Sequence, residues 1–139
     1  MSEQRALVER MFDQVINEGW VERADEFFAA DFVDHGPMGE MHGVDAFREL
    51  VDMWRAAVPD VHCSVENWFE SGDMAAWNVH ATGTHAGSMM GIPPTGRSFE
   101  YITPNIARFA DGKVVEHWAD QGMFQFLTQI GVLEPQPAA

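Results

Sequence analysis

The stretch DVHCSVE, residues 60–66, decides the fold, because the spacing of the apolar residues changes there. Before it, apolar side chains recur every three or four residues, which is typical of amphipathic helices. Within it, Val61, Cys63 and Val65 alternate with polar residues, which is typical of a strand with one buried face. The sequence therefore predicts helices in the first half of the chain and an antiparallel sheet in the second.

Turn residues divide both halves into elements. Helices are predicted over residues 4–17, 21–28 and 47–58, with one brief strand over residues 31–35 that Gly36-Pro37 stops. After residue 60, strands are predicted up to Ser71, from Met74 to Thr84, from Ser98 to Phe109 and from Lys113 to Gln121. A short helix over residues 124–130 ends the pattern. Helices followed by a long sheet indicate an α+β fold, whose curled sheet would leave a concave interior suited to a small molecule.

Composition limits the possible partners. The chain carries 22 acidic and 8 basic residues, a net charge of −14, so a nucleic-acid or anionic-membrane partner is not expected. The length predicts a single domain, residues 1–133, followed by a flexible Pro- and Ala-rich tail, residues 134–139. The single cysteine, Cys63, excludes an internal disulfide and a cysteine-based zinc motif. Without a membrane-spanning stretch or signal peptide, the expected location is cytoplasmic.

The segment EHWAD, residues 116–120, combines ionisable groups with a large aromatic residue at the end of the last strand. Buried acids and imidazoles are costly unless they are paired, so this cluster suggests a site. A regular strand would place Asp120 on the same face as Trp118, whereas a bulge would turn His117 to that face instead.

Several motifs resemble the SnoaL-like polyketide cyclase family of the nuclear transport factor 2-like superfamily. The resemblance covers nearly the whole chain and is carried by Gly83-Thr84-His85, GIPPTGR (91–97), Asp111-Gly112-Lys113, Glu116-His117-Trp118 and Gln129-Ile130-Gly131. It implies a cone-shaped α+β barrel, in which a curved, mainly antiparallel sheet and three N-terminal helices enclose a pocket. It also implies an enzyme that closes a ring by intramolecular aldol condensation on a small hydrophobic, oxygenated substrate, with no metal or organic cofactor.

The resemblance also suggests which residues form the site. Asp120 matches the acid/base carboxylate of the family, although many relatives carry theirs two residues later, at Gly122. His35 and Asn105 occupy positions used by the related ketosteroid isomerases, where His35 would polarise a carbonyl and Asn105 would donate to the developing oxyanion. Substrate-binding positions are expected at Trp118, His117, His80, Trp54, Phe99 and Phe124.

Other interpretations stay open at the level of sequence. An epoxide or ester hydrolase would need an arginine, Arg108, pointing into the pocket, and a non-catalytic binding module would have all its ionisable groups in solvent. A metal site formed by His35, His80, His117 and Asp120 is not supported by any short-range ligand spacing. Apolar residues on both faces of the strands predict a homodimer through the outer face of the sheet.

Overall fold

The computed structural model describes residues 1–133, so the predicted flexible tail lies outside the described residues. Helix α1 spans Glu3–Met11 and continues as a π-helical segment, Phe12–Asn17; a 3-10 helix, Val21–Glu26, follows. Helix α2 spans Val44–Ala57 and helix α3 spans Met123–Gln129. The three predicted N-terminal helices are thus present, the second as a 3-10 helix. No helix in this part of the chain is long and apolar enough to cross a membrane.

Six strands form one curved, unclosed, mixed sheet. They are β1 (Phe28–Gly36), β2 (Gly39–His42), β3 (His62–Ser71), β4 (Met74–Thr84), β5 (Ser98–Ala110) and β6 (Lys113–Ala119). Their order in the sheet is β2-β1-β6-β5-β4-β3, and every neighbouring pair is antiparallel except β1 with β6. The predicted α+β class and mainly antiparallel sheet are confirmed. Strand β2 was not predicted, because Gly39 and the exposed residues around it have the composition of a loop.

The hydrophobic core lies between the helices and the concave face of the sheet. Val8 of α1 and Val15 of the π-helical segment pack with Val51 of α2 against inward side chains of the strands. Two hydrogen bonds connect the π-helical segment to β3. Asn17 Oδ1 accepts from the Cys63 backbone N–H, and Asn17 Nδ2 donates to the Cys63 carbonyl. The helices therefore cover only one face of the sheet, and they form one wall of the interior.

A bulge in β6 sets which side chains reach this interior. Glu116 pairs with Arg108 of β5, but the next pair toward the hairpin is Val114 with Phe109, which leaves Val115 without a partner. One unpaired residue reverses the alternation of faces along a strand. Val114 and His117 therefore both face inward although they are three positions apart.

Strand β6 ends in a tight turn that requires glycine. Asp120 accepts a hydrogen bond from the Gly122 N–H through its carboxylate, at 2.9 Å. Gly122 has a φ of 68°, in the left-handed region, and a Cβ at this position would overlap the Tyr101 ring. The positive φ and the close approach of the Tyr101 ring both disfavour any residue with a side chain at this position.

We expect Gly122→Ala to lower the free energy of unfolding by about 2–5 kcal/mol, because backbone strain and overlap with Tyr101 add. Gly112→Ala is the matched control, since Gly112 also has a positive φ, 75°, but open space around it. That variant should lose only about 1–2 kcal/mol. Urea denaturation of both variants measures the difference, and equal losses would show that Tyr101 does not constrain the turn.

Candidate active site

A deep pocket opens between the helices and the concave face of the sheet. Its space, counted together with the open solvent at its mouth, is about 1000 Å³. Concave, mostly apolar pockets with a few polar groups are typical of small-molecule sites. Most of its wall is aliphatic or aromatic, with Met11, Phe12, Val51 and Trp54 from the helices and Val79 and Phe99 from the strands among the contributors. Polar groups at the floor are few, so each of them bears on what the pocket can do.

An Asp34–His117 pair lies at the floor of this pocket. The two residues are direct neighbours across the parallel strands β1 and β6. His117 Nδ1 is 3.0 Å from Asp34 Oδ1, and the two side chains are 14% and 2% exposed. A carboxylate so deeply buried is tolerated only when it is paired, and His117 supplies that partner.

Asn105 completes the polar group from strand β5. Its Oδ1 lies 2.7 Å from His117 Nε2, and its Nδ2 donates to the Thr103 carbonyl at 3.3 Å. The imidazole therefore stands between two oxygen atoms, one from a carboxylate and one from an amide. Asn105 was predicted as a site residue, and it borders the pocket together with His117.

The hydrogen bonds of His117 constrain its protons. A carboxylate oxygen and an amide oxygen both accept, so the imidazole satisfies both neighbours when both ring nitrogens carry hydrogen. A neutral ring with its proton on Nδ1 keeps the Asp34 bond and leaves Nε2 as an acceptor. Asn105 Oδ1 is then no partner for Nε2, and Nε2 can accept a proton from a molecule in the pocket once the Asn105 amide turns aside. Among Asp34, His117 and Asn105, the imidazole can thus hold a proton on Nε2 when both ring nitrogens carry hydrogen, and it can receive one there when the ring is neutral.

The prediction that Asp120 reaches the pocket is wrong. The bulge at Val115 turns His117 inward, and β6 ends at Ala119, so Asp120 is exposed and its carboxylate binds the turn at Gly122 instead. The alternative stated from sequence, a bulge that exchanges Asp120 for His117, describes the structure.

His35 and Trp118 also lie outside the pocket. They face the outer side of the sheet, where their rings stack with centroids 5.2 Å apart. His35 Nε2 lies 2.7 Å from Glu116 Oε2, a bond that occupies the imidazole. Both predictions failed for the same reason, which is that the neighbouring residues, Asp34 and His117, take the inward positions.

Of the remaining predicted substrate-binding residues, two line the pocket and two do not. Trp54 and Phe99 belong to its wall. His80 lies on the outer face of β4, with its Nε2 2.7 Å from Glu100 Oε2, and Phe124 on α3 is 65% exposed. Strand alternation explains His80, because Val79 and Ala81 on either side of it point inward.

Asp34 was missed as a site residue, although the sequence carried a signal for it. Phe32 and Asp34 are two positions apart, so an inward Phe32 implies an inward Asp34 on a regular strand. Both are indeed buried, at 0% and 1% exposure. The resemblance to the ketosteroid isomerases points to His35 instead, which lies one position further along the strand and on the opposite face.

Residues 1–133 contain no group of three or more His, Cys, Asp or Glu side chains arranged to hold a metal ion. The four residues considered for a metal site from the sequence are divided between the two faces of the sheet, with only His117 in the pocket.

Cys63 provides a direct test of the pocket's apolar character. It lies in the pocket wall, and burial raises the pKa of its thiol from 9.0 to about 12. We expect N-ethylmaleimide at pH 8 to label the folded protein at least about 100-fold more slowly than the urea-unfolded protein, because the thiolate is the reactive form. Mass spectrometry measures the rates, with Cys63→Ser as the unlabelled control. Equal rates in the folded and unfolded protein would contradict this environment.

Comparison with known proteins agrees with this architecture. The chain matches the SnoaL-like polyketide cyclase family over residues 6–130. It is 29% identical over 126 residues to an aklanonic acid methyl ester cyclase of Streptomyces peucetius, covering 86% of each chain. It is 31% identical over 127 residues to the nogalonic acid methyl ester cyclase of Streptomyces nogalater, covering 87% of this chain and 91% of that one.

Among solved structures, IdmH from Streptomyces antibioticus superposes with a TM-score of 0.80 at 31% identity. The match covers 94% of this chain and all of IdmH. The element order, the curved sheet and the sequence match over residues 6–130 lead to one conclusion: this chain belongs to the SnoaL-like polyketide cyclase family.

Proposed function

We propose that this protein is a polyketide cyclase that closes a carbon ring by intramolecular aldol condensation, with His117 as the acid/base. The observation that carries the proposal is the buried Asp34–His117 pair on the floor of an apolar pocket. Its two relatives named above are cyclases of aklanonic and nogalonic acid methyl esters, which supports the same class of reaction here.

The proposed reaction needs one group that both takes and returns a proton. His117 Nε2 removes a proton from the carbon next to a substrate carbonyl, and the resulting enolate carbon attacks a second carbonyl carbon of the same molecule. The new carbon–carbon bond leaves an alkoxide, which takes the proton back from Nε2. Imidazole suits this exchange because it changes its proton occupancy near neutral pH. No electrons are gained or lost, so no oxidant or reductant is needed.

Asp34 positions the imidazole in this scheme. Its carboxylate accepts from Nδ1–H, which orients the ring with Nε2 toward Asn105 and the pocket. The same carboxylate stabilises the positive charge that the ring acquires once it has taken the substrate proton. Asp34 therefore acts through His117.

Charge complementarity favours an uncharged substrate. Arg55 is the one Arg or Lys among the pocket-lining residues, and its Nη1 donates to the Ile16 and Asn17 carbonyls at 2.8 Å each. A substrate carboxylate would enter an apolar cavity that already contains the Asp34 carboxylate, and the arginine on the pocket wall is partly bound to backbone carbonyls. An esterified polyketide avoids this cost, as do the methyl esters named for the two relatives.

The two competing interpretations have less support. The hydrolase interpretation named Arg108 as the pocket arginine, but Arg108 extends over the Trp118 ring on the outer face and lies 3.8 Å from Glu116. Arg55 does line the pocket, but its Nη1 donates to the backbone carbonyls of Ile16 and Asn17. The binding-module interpretation expected every ionisable group in solvent, whereas Asp34 is buried at the pocket floor. We keep the cyclase as the proposal.

Substitutions in the Asp34–His117 pair test the assignment of His117 as the acid/base. With aklanonic and nogalonic acid methyl esters as trial substrates, we expect His117→Gln to lower kcat roughly 10²–10⁴-fold, because proton transfer is lost. Asp34→Asn should also lower kcat, with an altered pH–rate profile. Chromatographic separation of open-chain and cyclised isomers measures turnover.

His35→Gln and Asp120→Asn are the matched controls, since both change ionisable groups outside the pocket. Asparagine at position 120 can still accept from the Gly122 N–H, so the turn is kept. Both variants should retain turnover within about 2-fold, as surface substitutions usually do. Loss of activity in Asp120→Asn together with normal turnover in His117→Gln would return the acid/base role to Asp120.

A homodimer through the outer face of the sheet is part of the proposal. Ile102 and Ile106 of β5 are 51% and 43% exposed on that face, and Ile106 pairs with Trp118 of β6. Neighbouring exposed apolar side chains mark surfaces that other proteins cover. The cytoplasmic location stays a prediction.

We expect sedimentation of the wild-type protein at micromolar concentration to give twice the chain mass of 15.6 kDa. Ile106→Glu should shift the mass to that of the monomer, because it would bury an unpaired charge in the interface. Phe124→Glu, at an exposed apolar residue on α3, is the control and should remain dimeric. A monomeric wild-type protein would contradict the dimer.

A further inference from the structure

The indole of Trp77 has a buried N–H group with no acceptor. Trp77 lies in β4, is 3% exposed and borders the pocket. Its Nε1 has no hydrogen-bond partner among residues 1–133. An unsatisfied buried donor costs about 1–3 kcal/mol, so such groups are rare in the interior of a protein unless something else satisfies them.

The neighbouring tryptophans show that the missing partner is particular to Trp77. Trp54 Nε1 donates to Gln121 Oε1 at 3.4 Å, and Trp68 Nε1 donates to Glu70 Oε1 at 2.9 Å. Trp68 stacks on Trp77 with ring centroids 5.2 Å apart and planes inclined by 19°. Stacking on Trp68 thus holds the Trp77 ring in place, while its Nε1–H is left without an acceptor.

The Trp77 ring lies close to the proposed chemistry. The Trp77 ring is nearly parallel to the His117 imidazole, with centroids 6.0 Å apart. Asn105, which the sequence suggested as the donor to the oxyanion, uses one Nδ2 hydrogen to bind the Thr103 carbonyl, and its oxygen lies against His117 Nε2. Trp77 Nε1–H has no acceptor at all, but it is covered by the pocket wall, so a ligand reaches it when neighbouring side chains move aside.

We propose that Trp77 Nε1–H donates a hydrogen bond to the carbonyl oxygen of the substrate and to the enolate oxygen that forms from it. This inference rests on the proposed function, because the enolate arises when His117 removes the neighbouring proton. The negative charge that develops on the oxygen is stabilised by a fixed donor in a water-poor site, which is the condition under which such donors lower a barrier most. Trp77 is accordingly a catalytic residue.

The hydrogen bond is tested without any turnover, using 9-fluorenone and fluorene as probes. These tricyclic molecules have nearly the same shape, but only fluorenone carries a carbonyl oxygen. The protein is labelled with ¹⁵N at its five indole nitrogens, and Trp77→Phe identifies the Trp77 signal. We expect fluorenone to move the Trp77 Nε1–H proton signal downfield and fluorene to leave it without a downfield shift.

Affinity gives a second readout. Trp77→Phe should weaken fluorenone binding about 3- to 10-fold and leave fluorene binding unchanged within about 2-fold, as expected for the loss of one hydrogen bond. Trp68→Phe is the control, since its N–H is already bound to Glu70. Equal weakening of both probes would mean that Trp77 only packs against ligands, and that result would overturn the proposal. Failure of wild-type protein to bind fluorenone, or a Trp77 signal that fluorenone leaves unmoved, would overturn it as well.

Turnover separates this inference from the proposed function. If the methyl esters are cyclised, Trp77→Phe should lower kcat about 10-fold or more, as when an oxyanion donor is removed. If the esters are not cyclised while fluorenone still shifts the Trp77 signal, the cyclase proposal fails and the carbonyl-binding site stands. Normal turnover in Trp77→Phe would remove Trp77 from the mechanism.

Discussion

The burial of the Asp34 carboxylate against His117 is the interaction on which the rest of the site depends. It joins β1 to β6 across the parallel pair of strands in the sheet. A buried carboxylate–imidazole contact contributes little net stability, because the cost of desolvation offsets the attraction between the two groups. Packed apolar residues of similar size would hold these strands together at least as well. The pair is thus better explained by a role in chemistry than by a role in folding.

The bulge at Val115 makes this pairing possible. Without it, Glu116 and Trp118 would face inward with Val114, and His117 would lie on the outer side of the sheet. With it, two His–carboxylate contacts form on opposite faces of the same strands, His117 with Asp34 inside and His35 with Glu116 outside. The inner contact is enclosed by an apolar wall, whereas the outer one is partly open to solvent and correspondingly weaker as an electrostatic interaction.

Sequence patterns predicted the helices and strands well, but they predicted poorly which side chains of the strands point into the pocket. The change of period at Asp60 placed the helices before the sheet, and turn residues located most boundaries. These signals are sums over many side chains, so a local irregularity does not hide them. The face of a single residue depends on one bulge, and Val115 has no sequence feature that marks it as unpaired. The prediction of Asp120 instead of His117 is wrong because of that one residue. The prediction of His35 instead of Asp34 has a different cause, because Phe32, an apolar residue two positions before Asp34, already indicates that Asp34 faces inward.

The remaining polar groups of the pocket are consistent with a site built around a neutral, oxygen-bearing ligand. Arg55 through its Nη1 and Asn105 through its Nδ2 both donate to backbone carbonyls, which fixes their orientation in the pocket wall. Trp77 is left with an N–H group that can donate but carries no charge. A fixed neutral donor does not attract a carboxylate strongly, yet it becomes more favourable as negative charge develops on a bound carbonyl oxygen. Under the proposed mechanism, the pocket would therefore discriminate between ground state and transition state through a neutral donor whose interaction strengthens as charge develops.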